Sequence, residues 1–526
     1  MPVLTEILRA RAREHPGKVA FHADGPAVAR DGDAPSGRAR AVTYREFDER
    51  VDRVAAALAA SGVGPGDRIA ILDKNSVEFA ELMFGAARIG AALVPVNYRL
   101  AADEVAFIVS NARARVFVVG PDFVPMLDEL RGRLEHTKKT LVIGPAYEEW
   151  LASEASAPPA HEAKPADVFV QLYSSGTTGR PKGVLLTHDN FVTALPLTQE
   201  LWGLDDSTVL MVAMPQYHVA GTVLTVCTVF DGLTGVIGRE PDPLLIARAI
   251  ERHKVTHIFL VPALLRFMRL IPEVAAHDMS SLRLLLYGAS PISEDVLRGA
   301  MEMLPGTRFM QVYGLTETTG AITYLPSADH DPDGPHAARL RSAGIPYPAC
   351  ELRIADPATL EELPPGQVGE ILCRTPQNML GYWDLPDATG AALLPDGFFR
   401  TGDAGYLDED GYLYIHDRVK DMIISGGENI YPAEVENVLM GHPQVTDCAV
   451  IGVPDAKWGE TPKALVVASG EVSPDALIDY CRARLAHFKC PTSVEFRDAI
   501  PRNPTGKVLK RDLRAPYWKN EDRSVH

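Results

Sequence analysis

The sequence predicts an α/β protein. A large N-terminal domain of parallel sheets layered with helices contains a small β-barrel-like subdomain, and a smaller α+β domain closes the chain. Three observations predict this. Short apolar runs alternate with helical spacings over residues 68–119, and again over 255–312. From about Gly344 the texture changes to short strands between Pro/Gly turns. From Asp421 it changes again, to a compact mixture of helices and strands. The expected division is residues 1–420, with the β subdomain at 344–415, and residues 421–526.

In chain order, residues 43–61 have helical spacing, with Phe47, Val51, Val54 and Leu58 on one face. Gly64-Pro-Gly-Asp67 is a turn, residues 68–72 a strand, and Asn75 is placed to cap a helix running to about Arg88. Strands at 92–96 and 115–119 flank a helix at 102–110. Residues 167–172 form an apolar run that reads as a buried strand. Further strands are expected at 255–261, 282–286 and 308–312. In the β subdomain they are expected at 351–354, 369–373 and 411–415. Pro432 suits the first position of a helix ending near Gly441. Strands at 445–453, 463–469 and 493–497 and a helix at 474–485 complete the last domain. Residues 24–40, rich in Pro, Gly and Ala, read as a loose surface loop.

Of 526 residues, 46% are hydrophobic, ample for large cores. The net charge of −17 disfavours general binding to nucleic acid or anionic membranes. A polyanionic ligand therefore needs a local basic site or a bound cation. The six cysteines, at 227, 350, 373, 448, 481 and 490, contain no C-x-x-C pair. That argues against a disulfide framework or zinc site and for a reduced, cytoplasmic setting. No signal-peptide core opens the sequence, and no integral membrane segment is expected. The longest apolar run, 219–238, is broken by Asp231 and several glycines and reads as a buried helix and strand.

The most informative stretch is Tyr173-Ser-Ser-Gly-Thr-Thr-Gly-Arg-Pro-Lys-Gly-Val184. Its glycines let backbone N–H groups converge on an anion. Ser174, Ser175, Thr177 and Thr178 add hydroxyls, and Arg180 and Lys182 add positive charge. It is not a Walker A loop, because Gly179 leads into Arg180-Pro181 and then into another apolar run rather than a helix. A hairpin over phosphates is the expected shape.

This stretch closely resembles the phosphate loop of the adenylate-forming (ANL) superfamily: acyl-CoA synthetases, amino-acid-adenylating domains and luciferases. Further segments match that family in its usual order. The resemblance implies that His218, in Met214-Pro-Gln-Tyr-His218, borders an acyl pocket. It implies that Gly288, Ala289 and Ser290 line the adenine and acyl sites, with Ser175, Gly176, Thr178 and Gly179 on the nucleotide phosphates. In Tyr313-Gly-Leu-Thr-Glu317, Tyr313 stacks on adenine, Thr316 bonds a phosphate oxygen and Glu317 binds Mg²⁺, which Thr177 contacts via phosphate. Asp403 and Arg418 hold the ribose. Lys420 is the hinge of a mobile C-terminal domain, Ser425, Gly426 and Gly427 line a CoA channel, and Lys507, in Pro501-Arg-Asn-Pro-Thr-Gly-Lys507, is catalytic.

The resemblance implies an ATP-dependent carboxylate–CoA ligase of the fatty-acid branch, with ATP and CoA as co-substrates and Mg²⁺ as cofactor. Amino-acid-adenylating members carry an aspartate just after the segment that here reads Tyr217-His218-Val219-Ala220; its absence disfavours an amino acid. Acetate-specific members carry a tryptophan where Gly314 stands, so Gly314 is expected to leave the acyl pocket open to larger groups. An indole at that position is expected to shrink it. Val219, Ala220, Gly221, Val261 and Ala263 are the expected apolar wall. An aryl-carboxylate ligase, a ligase loading an acyl carrier protein and a luciferase-like oxygenase remain alternatives. The expected partners are small molecules, with homodimerisation left open.

Overall fold

Two large sheets take up the alternating pattern of the first 400 residues in a computed structural model. It describes residues 2–24, 40–153, 161–174, 180–290, 292–425, 428–455, 457–502 and 508–518. The chain divides into two units. The first comprises Met1–Leu340, Gly344–Glu351 and Arg374–Phe399; the second comprises Arg341–Ala343, Leu352–Cys373 and Arg400–His526. The boundary expected at Lys420 lies inside the second unit.

In the first unit one sheet has seven strands. Their order is Gly381–Tyr382, Lys182–Thr187, Val168–Ser174, Ala92–Val96, Arg68–Leu72, Val116–Val119 and Lys139–Val142. The last five are mutually parallel, and Lys182–Thr187 and Gly381–Tyr382 join antiparallel at one edge. The other sheet has nine strands, with a parallel centre from Val19–Asp24 to Arg308–Leu315 and antiparallel ends. A chain of edge-to-face phenyl rings crosses the core between them. Phe21 meets Phe47, Phe47 meets Phe84, Phe84 meets Phe169 and Phe169 meets Phe191, with centroids 5.2–5.8 Å apart. The predicted helical face of Phe47, Val51, Val54 and Leu58 is fully buried on the helix Tyr44–Ala60.

Helix starts follow the side chains able to bond orphan N–H groups. Thr43 and Glu46 form a reciprocal capping box. Asn75 does not cap the helix Val77–Arg88; Ser76 does, accepting from Phe79 N–H. Asn75 instead donates to the carbonyls of Met214 and Gly238 and accepts from Gln216 N–H, tying two loop ends together. The apolar run 219–238 forms the helix Val219–Phe230 and the strand Thr234–Gly238. Among the described residues no helix is long and apolar enough to cross a membrane.

In the second unit, the segment read as barrel-like is a four-stranded sheet in the order Glu351–Ala355, Gly369–Arg374, Phe399–Leu407, Leu413–Arg418. Beyond it the helices Pro432–Met440 and Pro474–Arg482 and the strands Val445–Asp455, Gly459–Ala468 and Ser493–Phe496 match the expected elements. A short hairpin, Ile423–Ser425 with Glu428–Ile430, was not expected. Alternate residues of the long strands fill two cores. Val450, Ala464 and Val466 pack with Val435, Leu439 and Leu477, and Ala449, Ile451 and Leu465 pack with Ile500 and Leu513.

Three histidines are held neutral inside the first unit. His188 accepts from Leu4 N–H, His257 bonds the Trp202 carbonyl and His330 bonds the Pro326 carbonyl. Burial pushes each down to about 4. Between that value and the unfolded pKa near 6.5, the unfolded chain binds more protons than the folded one. Stability is therefore full above 6.5 and falls on acidification, by about 2 kcal/mol per histidine at pH 5. Burial pushes Asp231 up to about 6, which has the opposite sign and offsets about 1 kcal/mol at that pH. Denaturant unfolding at pH 7.5, 6 and 5 is expected to show this loss in the first unit. His257→Gln, which keeps a donor for Trp202, should flatten the slope by about one histidine's share; a slope unchanged in that variant contradicts the assignment.

Candidate active site

The stems of the expected hairpin are present. Val168–Ser174 and Lys182–Thr187 pair antiparallel, with Ser174 opposite Lys182. Residues 175–179, which include Ser175, Gly176, Thr177, Thr178 and Gly179, lie outside the described residues. The first stem of the hairpin is fastened by side chains of neighbouring strands and helices. Gln171 donates to the Tyr173 hydroxyl, and that hydroxyl donates to Asn111 Oδ1 at 2.6 Å. Arg68 donates to Gln171, and its guanidinium lies 3.6 Å from the centre of the Trp383 indole. Trp383 in turn donates to the Asn111 carbonyl.

Glu317 sits beside the hairpin. It belongs to a 3₁₀ turn, Thr316–Thr318, that follows the strand Arg308–Leu315. Tyr313 and Gly314 lie within that strand, which runs past the expected end at residue 312. Glu317 is 9% exposed, and its Oε1 accepts two hydrogen bonds of 3.1 Å, from Ser174 Oγ and from the Tyr382 hydroxyl. The segment 375–383 holds this turn in place. Met379 N–H donates to the Glu317 carbonyl, Thr319 Oγ1 donates to the Gln377 carbonyl, and Gln377 donates to the carbonyls of Thr318 and Ala321. Asn190 fastens the same segment through the carbonyls of Pro376 and Asn378. The Lys182 ammonium lies 4.8 Å from the centre of the Tyr382 ring. Ser174 and Lys182, close in sequence, are thus brought together with the distant Glu317.

The segment Gly288-Ala289-Ser290 follows the buried strand Leu284–Gly288. A Cβ at Gly288 would fall 2.1 Å from the Val312 carbonyl oxygen, so only glycine allows the parallel neighbour to come this close. Ala289 stands at φ +66°, a left-handed conformation that costs about 1 kcal/mol or more for a residue with a side chain. Just before them, the buried Tyr287 hydroxyl bonds His330 Nε2 at 3.0 Å. Because the other nitrogen of neutral His330 donates to Pro326, Nε2 accepts from Tyr287. Ala289 and Ser290 are exposed.

His218 precedes the helix Val219–Phe230, half-buried, with its ring centre 4.4 Å from that of Tyr217. Val219 and Ala220 are half-buried and Gly221 buried in the first turn of that helix; Val261 caps the helix Pro262–Leu270. Tyr217 is buried, its hydroxyl has no protein partner among the described residues, and burial raises its pKa.

In the second unit Asp403, 6% exposed, pairs across the strands with Arg418, and the Asp403 N–H donates to Thr401 Oγ1. The side chains of Arg418 and Lys420 lie outside the described residues; the backbone at Lys420 forms the 3₁₀ turn Val419–Asp421. Arg514 bonds the Asp421 carbonyl at 3.0 Å. Ser425 ends its strand opposite Glu428 and Gly459. Gly426, Gly427 and Lys507 lie outside the described residues. The stem flanking Lys507 is closed by a bridge between Arg502 and Val508 and by Leu509 N–H to the Pro501 carbonyl.

Sequence reasoning missed Tyr382 and His330. Gly381-Tyr382 is too short to read as a strand, and neither residue carries a local signal; only the register of the edge strand and the packing around Tyr287 reveal them.

Residues 8–383 match the AMP-binding enzyme family, and residues 434–507 match the AMP-binding enzyme C-terminal domain. A fatty acid–[acyl-carrier-protein] ligase from Streptomyces coeruleorubidus is 40% identical over 496 residues, covering 93% of this chain and 94% of that protein. A feruloyl-CoA synthase from an Amycolatopsis species is 40% identical over 483 residues, covering 91% and 94%. The solved structure of a fatty acyl CoA synthetase from Mycobacterium tuberculosis superposes with a TM-score of 0.77 at 36% identity, covering 98% of each chain.

One sequence expectation needs correction. A Cβ at Gly314 would fall 1.9 Å from the Gly320 carbonyl oxygen, where the pairing of Arg308–Leu315 with Gly320–Leu325 shifts register. Gly314 is required by that backbone approach, so an indole there cannot simply fill open space; the strands must part first. Gly314→Ala is expected to destabilise the first unit by about 1–3 kcal/mol and to lower turnover of all carboxylates alike. Gly314→Trp should be worse. Thermal unfolding together with a chain-length panel checks this; an unchanged melting temperature with a shortened chain preference would restore the simple pocket-filling account.

Proposed function

We infer that this chain, which belongs to the AMP-binding enzyme family and is an ATP-dependent carboxylate–CoA ligase of the acyl-CoA synthetase branch, takes a medium- to long-chain fatty acid or another apolar carboxylate. The observation that carries the phosphate chemistry is the constellation at the hairpin mouth. A cation, a hydroxyl and a buried carboxylate converge there from three separate elements.

In the first half-reaction a carboxylate oxygen attacks the α-phosphorus of ATP and the bond to pyrophosphate breaks. Lys182 and the hydroxyls of Ser174, Thr177 and Thr178 hold the β and γ phosphates. Thr316 bonds a phosphate oxygen, Tyr313 stacks on adenine beside Gly288, Ala289 and Ser290, and Asp403 and Arg418 take the ribose. Lys507 neutralises charge gathering between carboxylate and α-phosphate. One buried carboxylate next to hydroxyls fits Mg²⁺, which binds few protein carboxylates and keeps phosphate oxygens in its shell. Among the described residues there is no cluster of three or more His, Cys, Asp or Glu that would instead suit an all-protein metal cage. When bound, Mg²⁺ would neutralise phosphate charge; Glu317 would hold it.

In the second half-reaction the CoA thiol attacks the acyl carbonyl, loses its proton and expels AMP. Ser425, Gly426 and Gly427 line its approach, and Lys420 is the hinge about which the C-terminal domain turns between steps. Val219, Ala220, Gly221, Val261 and His218 border the acyl group. Two other readings have support: the 40% identical feruloyl-CoA synthase favours an aryl carboxylate, and the 40% identical carrier-protein ligase favours a protein thiol as acceptor.

Pyrophosphate release across fatty and aryl acids, with CoA, with an acyl carrier protein and with neither, separates these readings. AMP and pyrophosphate are the expected products, with the best rates on fatty acids and thioester formed with CoA; carboxylate-dependent ADP would overturn the ligase chemistry. Lys507→Ala is expected to lose on the order of 10²–10³ in adenylation, yet still convert a supplied acyl-adenylate to acyl-CoA at near the normal rate. Equal loss in both half-reactions would show that Lys507 does not act on the first alone.

A further inference from the structure

Lys182 and Glu317 carry opposite charges at the mouth of the same hairpin, yet Lys182 forms no ion pair with any described residue. Tyr382 stands between the two functions. Its ring faces the Lys182 ammonium at 4.8 Å, and its hydroxyl donates to Glu317 Oε1 at 3.1 Å. We propose that Tyr382 is a positioning residue that keeps the phosphate-binding lysine and the metal-binding glutamate apart and aimed, so that neither neutralises the other before substrate arrives. The proposal rests on the ligase reading above and adds a residue to it.

Register explains how a tyrosine comes to be there. Gly381–Tyr382 pairs antiparallel with Lys182–Thr187, placing Tyr382 opposite Val184. Cross-strand partners share a face, and residues two apart on a strand share it too. Tyr382, Val184, Lys182 and Ser174, the partner of Lys182, therefore all point to the Glu317 side. Trp383 points the other way and is locked between Arg68 and the Asn111 carbonyl. The edge strand has little freedom to slide or turn over.

Physical chemistry favours this arrangement over a direct pair. An ammonium over a phenol face keeps its full charge, because the ring offers a quadrupole rather than a counter-charge. The hydroxyl bond gives Oε1 a donor without adding a cation. A direct Lys182–Glu317 pair in this poorly solvated place would have to be broken before a phosphate or a metal ion could bind.

Three variants test the proposal, each with calorimetric ATP binding with and without Mg²⁺, the Mg²⁺ dependence of turnover, and the carboxylate KM. Tyr382→Phe keeps the ring and loses the hydroxyl. Its half-saturating Mg²⁺ should rise several-fold while metal-free ATP affinity and the carboxylate KM stay unchanged. Tyr382→Leu loses both contacts and lets Lys182 close onto Glu317; metal-free ATP affinity should fall about ten-fold. Adding Glu317→Gln to Tyr382→Leu should restore that metal-free affinity, since Lys182 then has no carboxylate to meet. A merely structural defect would not be rescued this way. Unchanged ATP binding in Tyr382→Leu, failure of Glu317→Gln to restore it, or an unshifted Mg²⁺ requirement in Tyr382→Phe would each overturn the proposal. If wild-type protein formed no AMP, the ligase reading itself would fail; normal wild-type turnover with an indifferent Tyr382→Leu strikes only the role of Tyr382.

Discussion

A carboxylate withdrawn from water must be met by donors, and the buried Glu317 sets that requirement for the first unit. Its donors come from elements remote in sequence: Ser174 at the end of a strand and Tyr382 on an edge strand. Holding those donors needs further structure. The turn carrying Glu317 is fastened to segment 375–383, which is fastened in turn to Asn190 and to the Lys182 strand. Much of the local architecture thus serves to keep one charge in one place.

The overall charge of −17 makes that local order more important. A polyphosphate approaching this protein meets an unfavourable mean field, so cations at the hairpin must act at short range. Arg180 and Lys182 are the cations of the hairpin itself, with Arg180 lying 5.2 Å from the Phe107 ring centre and Lys182 against Tyr382. Both are thus held against aromatic faces, which stabilise a cation without cancelling it. Backbone strain is stored at Ala289, which is left-handed two residues after Tyr287, the residue bonded to His330.

The predicted site residues are distributed over both units. Ser174, Lys182, Tyr313, Thr316 and Glu317 belong to the first; Asp403, Arg418, Ser425 and Lys507 belong to the second. In the second unit, Asp403 and Arg418, which the resemblance assigned together to the ribose, are cross-strand partners.

The sequence by itself determined the α/β class, most elements and the hairpin form of the phosphate loop. These follow from local properties: apolar period, turn residues, and the second apolar run that follows Pro181. It also determined the family, because several motifs in order carry more information than any one of them. Only the tertiary structure decided which residues complete the site. Tyr382 reaches Glu317 through an edge-strand register, and register between distant strands is fixed by the packing of whole sheets, which no local pattern encodes. The same holds for Gly314. Its residue type suggested an open pocket, whereas the approach of the Gly320 carbonyl, a fact of two strands meeting, is what excludes a side chain there.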